Sequence, residues 1–392
     1  MPFASGSISA RRFVTTGDFP KMPDEELLAK LAEFRLQVSN VGLPDEVEAG
    51  FCGGRHLFDK TFDFGNNVYA DAIHLGIRID TNKVPGDIKK AYQTMEEDAL
   101  ASANPSGFIS KAQKREAKQN AERRFDDELR AGTHRRSKMT PLLWDLPHGT
   151  LYGPTSNAIV EKTAELFRRA LDVSLVPLSA GMLALRHLES SGKRRNYEDI
   201  TPTRFVHGPE GESQAAEYPW IAKGPEAKDF LGNEFLVWLW HETLHGQRTV
   251  GETTVFFDKA LDLDCVFGMT GRDGLRGDGP ANMPEALDAL RSGKVPRKAG
   301  LILERAGNTY NLTLNAETFA FGGLKLPDVE EADSPRVLFE ERIALLRDFG
   351  EVVDGLFFDF LKVRTSSGWE SNVDDIRAWI LKASARAVPR AA

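Results

Sequence analysis

Hydrophobic and polar positions along the chain follow two periods, in uneven clusters. A period of two runs through residues 7–14 and again through 68–80 (VYADAIHLGIRID), and predicts strands. A helical period occupies 24–36 (DEELLAKLAEFRL), opening on acidic residues that suit a helix N-terminus. Lys83-Val84-Pro85 leads into a helix over 86–103, stopped by the turn Asn104-Pro105-Ser106-Gly107. Strands are expected at 139–146 and 150–152, then a helix capped by Thr155-Ser156-Asn157 through Ala170, and a short strand over 173–178. Farther on, 249–267, 299–305, 310–314 and 318–324 read as strands and 284–291 as a short helix. Residues 336–363 form one long helical pattern, with another over 374–386, and 268–280 (GMTGRDGLRGDGP) reads as a Gly/Asp loop. Uneven clusters of helices and strands, rather than regular βαβ alternation, give an α+β class with mixed helices and antiparallel sheets.

Three segments depart from the amphipathic rule. Residues 110–130 (SKAQKREAKQNAERRFDDELR) have the Ala, Lys, Glu and Arg content of a strong helix former but few apolar residues with which to dock. Such a helix projects into solvent, bridges domains or lies on a charged ligand. A basic turn, Thr133 to Lys138, follows it. Residues 187–225 are polar and Pro/Gly-punctuated, and read as an insertion or long loop. By contrast, 230–240 (FLGNEFLVWLW) is apolar enough for a buried helix. The expected organisation is an N-terminal α+β region (1–186), an insertion (187–248), a C-terminal α+β region (249–366) and a tail helix (367–392).

Composition sharpens this picture in two ways. With 41% hydrophobic and 28% charged residues in 392, the chain has ample material for real cores. No run approaches 18 uninterrupted apolar residues, and the first residues lack a charged region followed by an apolar core. Neither a transmembrane helix nor a secretory signal is therefore expected. The two cysteines, Cys52 and Cys265, sit beside apolar residues and read as buried thiols of a protein in a reducing cytoplasm. The net charge is −8, yet residues 111–138 carry ten Lys or Arg against five Asp or Glu. A basic element at +5 on a body at −13 is the asymmetry that suits a polyanionic partner.

Candidate chemistry centres on two places. His241-Glu242-Thr243-Leu244-His245 has the H-E-x-x-H spacing of a zinc metalloprotease, with two imidazoles on one helical face and Glu242 as general base. Zincins need a third ligand downstream, and no His follows His245, leaving His207 or a distant carboxylate. The alternative is two histidines that cap a helix C-terminus. Asp258, Asp262 and Asp264 could share one face of a strand as a Mg²⁺ cluster, or line a solvated face. The second place is basic. Lys111, Lys114, Arg115 and Lys118 fall at i, i+3, i+4 and i+7 and form one helical stripe able to track phosphates without reading bases. Arg123, Arg124, His134, Arg135, Arg136 and Lys138 continue it. Lys294, Arg297 and Lys298 form a separate cluster. Glu116, Glu122 and residues 126–128 partly neutralise the stripe.

The order of these features resembles the bacterial recombination-associated protein RdgC family. The similarity is carried by IRIDTNKVPGDIKKAYQTMEEDA, by FISKAQKREAKQNAERRFDDELRAGTHRRSKMTPLLWDLPHGTLYG and by TSNAIVEKTAELFRRALDVSLVPLSAG. MPEALDALRSGKVPRKAGLILERAGNTYNLTLNAETFAFGGLKLPD and the long helix through Val363 continue it, so that it covers about residues 7–363. The resemblance implies a ring-shaped homodimer with a positively charged hole, associated with the nucleoid. It implies binding of double-stranded DNA with little sequence preference, and restraint of RecA-promoted strand exchange. It implies no cofactor, no metal and no catalytic site. The charged helix and His134 to Arg136 would lie near the DNA channel or the dimer contact, and Lys294 in the family's Gly-Lys turn. The chain departs from the compact members in the length of 187–248, in the HETLH motif within it, and in His134-Arg135-Arg136 where those members carry an aromatic.

Overall fold

In the computed structural model the first third of the chain runs β1 (Ile8–Thr16), α1 (Glu25–Glu33), β2 (Val47–Cys52), α2 (Phe64–Asn67), β3 (Val68–Tyr69) and β4 (Ala72–Asn82). There follow α3 (Gly86–Ala103), α4 (Lys111–Ala131), β5 (Arg135–Asp145), β6 (Thr150–Gly153), α5 (Asn157–Leu171) and β7 (Ser174–Pro177). The centre holds α6 (Ala180–Ser190), α7 (Arg194–Asp199), α8 (Phe230–His245), β8 (Thr249–Val250), β9 (Thr253–Cys265) and β10 (Arg272–Gly277). The chain ends with α9 (Pro284–Arg291), β11 (Lys294–Arg305), β12 (Asn308–Asn315), β13 (Phe321–Lys325), α10 (Pro335–Arg364) and α11 (Trp369–Lys382). The structure describes residues 3–36, 47–105, 107–209, 211, 214–222, 227–245, 248–268, 271–329 and 332–382. The final residues of the helix expected at 374–386 lie outside them.

The strands join into one antiparallel array in the order β10-β9-β11-β12-β13-β1-β6-β5-β4-β2, which bears out the α+β class. β1 is the hinge of this array. Its first residues pair with β13 (Ile8↔Leu324), while Arg11 to Val14 pair with β6. Alternation then gives β1 two jobs. Ile8 and Ala10 enter the larger core, which spans the C-terminal half, and Phe13 enters a smaller core with α1, α5 and β2. β4 and β5 are likewise covered on both faces: Ala72 and Leu143 belong to the larger core, Ile73, Leu75, Leu142 and Trp144 to the smaller.

Three sequence expectations need correction. Residues 68–80 are not one strand: Ala70 (φ 44°) and Asp71 (φ 63°) form a two-residue turn between β3 and β4. The Gly/Asp stretch at 268–280 holds an edge strand, β10, registered on β9 (Arg272↔Asp264, Gly274↔Asp262). Residues 187–225 are not one long loop either: they hold the end of α6 and all of α7, and contribute Leu188, Tyr197, Phe205 and Tyr218 to the larger core.

α8 is apolar over most of its surface from Phe230 to Trp240, and accordingly Leu231, Phe235, Leu236, Val237, Leu239 and Trp240 are at most 1% exposed. Its backbone lies against the β12–β13 turn so closely that a Cβ at Gly232 would sit 1.8 Å from the Ala316 carbonyl oxygen. α10, 30 residues and about 45 Å long, spans both halves of the sheet. Arg336 donates to the Val68 carbonyl at 2.7 Å, and Arg347 meets Asp145 at 2.9 Å. Asp354 receives Arg12 of β1 at 2.6 and 2.9 Å, and Arg364 reaches the buried Glu234 of α8 at 2.7 Å. Among the described residues no helix is long and apolar enough to cross a membrane. Cys52 and Cys265 are buried and free, as expected, and burial pushes the Cys52 thiol up to about 11.

Candidate nucleic-acid interface

β4 and β5 pair without interruption from Ala72↔Asp145 to Asn82↔Arg135. At the open end of this ribbon the chain does not turn; it continues into α3 and α4, which form a helical hairpin standing on the β4–β5 ribbon. Local chemistry dictates the two helices. Asp87 supports the first turn of α3, and Asn104 ends it in an extended conformation. Ser110 and Gln113 form a reciprocal capping box at the start of α4, and Gly132 (φ 67°) ends it in the left-handed region.

The arm has almost no core. α3 buries no residue and α4 buries only Ala117 and Ala121, which let the helices approach. Polar contacts hold them together: Lys89 meets Glu122 at 3.4 Å, Arg124 meets Glu96 at 3.0 Å, and Asn120 donates to Glu96 at 3.3 Å. The Arg124 guanidinium lies 5.8 Å from the Tyr92 ring centre. The root is stiffer. Asn82, 4% exposed, donates to the Leu129 carbonyl at 2.7 Å. Glu128 accepts from the Tyr92 hydroxyl and lies 2.8 Å from His134 Nε2, and these two bonds hold its carboxyl below the usual range. Arg135 reaches Asp80 at 2.9 Å and also contacts Glu48. Burial pushes the Asp80 carboxyl up, but bonds from Arg78, Ser137 and Arg135 outweigh it, and the net shift is downward.

These contacts divide the thirteen cationic or imidazole candidates. Lys111, Lys114, Arg115, Lys118 and Arg123 are exposed on α4, and none meets an acidic side chain among the described residues. Arg136 and Lys138 are exposed on one face of β5. Both lie in a strand and not in a basic turn, because β4 supplies partners as far as Asn82. Arg124, His134 and Arg135 are spent on intrachain pairs. In the second cluster Lys294 pairs with Asp273 at 2.7 Å. Arg297 pairs with Glu317 at 3.0 Å and lies 4.7 Å from the Trp220 ring centre. Only Lys298 there is exposed. Four strands separate β11 from β5 in the array, about 24 Å, so the second cluster does not extend the arm.

The catalytic alternatives are not assembled among the described residues. His241 contacts its neighbour Glu242 at 3.3 Å and packs edge-on against Trp379. The side chain of His245 lies outside the described residues. Asp264 is engaged by Arg272 at 2.7 Å and Arg297 at 3.4 Å, and Asp262 by Arg276 at 2.6 Å. β9 bulges at Lys259 (φ 62°), yet Phe257, Leu261 and Leu263 all face the larger core, so Asp258 and Asp262 share the opposite face, where Asp262 is held by its arginine. No group of three or more His, Cys, Asp or Glu that could hold a metal ion occurs among the described residues.

The arm also presents an aromatic that neither hydrophobic period predicts. Phe108, in the loop between α3 and α4, is 82% exposed, the largest value for a bulky apolar side chain among the described residues. Its only signal in the sequence is an aromatic between a turn glycine and a capping serine, outside either period. In comparisons with known proteins, no family model and no curated protein matches this chain.

Proposed function

We propose that this protein is a sequence-tolerant double-stranded DNA-binding protein that modulates RecA-dependent recombination or replication, acting as a homodimer in the nucleoid. The observation that carries the reading is the arm. An acidic chain extends a nearly coreless helical hairpin whose exposed cations Lys111, Lys114, Arg115, Lys118 and Arg123 are left unneutralised among the described residues. Flexible cations on a helix surface meet phosphates as point charges and read no base edge, which gives affinity without sequence preference. Arg136 and Lys138 extend the charge along β5 toward the sheet. The recombination role and the homodimer come from the family resemblance.

The test is a binding titration of the full chain against unrelated duplexes over a range of salt. Five neutralised phosphates give a slope of log K against log salt of about −4 to −5, the same for every sequence. A slope near zero, or no retention of duplex at low salt, overturns the reading. Slower strand exchange by RecA filaments on addition of the chain tests the second half of the proposal, and an unchanged rate removes it.

A further inference from the structure

Phe108 is held out by its loop. Asn104 donates from its side-chain amide to the Phe108 carbonyl at 2.8 Å, and Gly107 donates to the Asn104 carbonyl at 3.0 Å. The amides of Asn104 and Gln113 bond each other at 3.2 and 3.3 Å, and Gln113 also closes the cap on Ser110. Polar contacts thus tie Asn104, Gly107, Gln113 and the Phe108 backbone together while the Phe108 ring is exposed. Residues 99–115 contain three cationic and no acidic side chains. Lys111 follows Phe108 by three residues, and the stripe from Lys111 to Lys118 extends about 10.5 Å along the axis, the length of about three base steps.

An aromatic held beside phosphate-binding cations is the arrangement that lets a protein wedge an apolar ring between base steps. A ring whose backbone is already tied to Asn104 loses less freedom on doing so. We infer that Phe108 is a base-stacking wedge, and that the arm selects duplex DNA at positions where bases are already unstacked, such as gaps or mismatches. The inference rests on the reading of α4 as a DNA-binding element. In it, the lysines hold the backbone and the ring occupies the space of a missing or displaced base. No base edge is read, so the preference is for a kind of structure and not for a sequence.

The experiment compares the full chain on an intact duplex, on the same duplex with a one-nucleotide central gap, and on one carrying 2-aminopurine beside the gap. The expected result is binding to the gapped duplex about tenfold tighter than to the intact one, with a clear change in 2-aminopurine emission. Phe108→Ala abolishes both effects and leaves the salt slope unchanged. Lys114→Ala combined with Lys118→Ala shrinks the slope by about 2 and keeps the gap preference. Equal binding to gapped and intact duplexes by the unaltered chain overturns the wedge and leaves the arm reading standing. Absence of any salt-dependent DNA binding overturns both. If Phe108→Ala instead converts a dimer to a monomer and spares the gap preference, the ring belongs to a contact between two copies, and the wedge is again overturned.

Discussion

The side-chain amide of Asn82 donates to the carbonyl of Leu129 at 2.7 Å, tying the last residue of β4 to the last turn of α4. This bond and the Glu128 contacts fix the direction in which the arm leaves the sheet. Asn82→Ala should cost about 1 kcal/mol of stability, because a buried polar contact is lost without a substitute. Hydrogen exchange at the end of α4 and the start of β5 should accelerate while the two cores keep their protection. Unchanged exchange there would mean that the arm is anchored by the ion pairs alone.

The exposed stripe and the cations paired within the fold should separate cleanly in mutants. Replacing Lys111, Lys114, Arg115 and Lys118 with Gln should reduce the salt slope for duplex DNA by about 3 to 4 and leave thermal unfolding nearly untouched. Arg297→Gln should do the reverse, since it leaves Glu317 (6% exposed) without its cation and Asp264 (9%) with Arg272 alone. Loss of the slope in the Arg297 variant would contradict this division.

Glu234 is wholly buried, and burial raises its carboxyl above the ordinary value, with Arg364 opposing. Arg364→Met removes the opposing charge and should cost about 3–5 kcal/mol at neutral pH. An acid whose pKa is raised on folding contributes stability below its unfolded value of about 4.3 and loses it as pH rises through the folded value. The gap between variant and parent in denaturant unfolding should therefore narrow as pH falls toward about 4. A gap that stays constant with pH would mean that the guanidinium acts through packing and its bond to the Thr201 carbonyl.

His74 behaves in the opposite sense. It is 1% exposed, lies between the Phe3 and Phe339 rings, and burial pushes its pKa down to about 4. A histidine depressed on folding contributes stability above its unfolded value of about 6.5 and loses it as pH falls toward the folded value. Relative to His74→Phe, the parent should lose up to about 3 kcal/mol between pH 6.5 and 4. Parallel stability curves for the two proteins would contradict the burial argument.

Gly232 is a steric requirement. With a Cβ only 1.8 Å from the Ala316 carbonyl, Gly232→Ala must push α8 off the β12–β13 turn. A loss of about 1–3 kcal/mol or more is expected from overpacking, read as a lower denaturant midpoint, and Gly355→Ala on α10 should be close to neutral because nothing lies within 4 Å of its Cβ.

How much was legible in the sequence depended on how local the controlling chemistry is. α3 and α9 begin and end where their flanking Pro, Asn and Gly residues place them. α4 was legible for the same reason, with Ser110 and Gly132 at its ends. β10 was hidden because Gly274 and Gly277 look like loop residues, and only the register on β9 makes them a strand. Arg135 to Lys138 look like a turn because no apolar alternation marks them, while β4 supplies the pairing from 53 to 59 residues away. For the candidate site, spacing alone gave the Lys111–Lys118 stripe. It could not show that Arg124, Arg135, Lys294 and Arg297 are spent on carboxylates of other elements, since each such pairing is made by the tertiary fold.

The shared strand β1 has a consequence for the order in which the protein can be made. Residues 8–10 wait for β13 near the far end of the chain, and Arg12 waits for Asp354. On the ribosome, then, residues 8–10 keep an open hydrogen-bonding edge and Arg12 an unpaired charge until the segment through Asp354 has emerged. Closing β1 onto β13 and α10 is therefore a late step of folding, joining segments more than 300 residues apart.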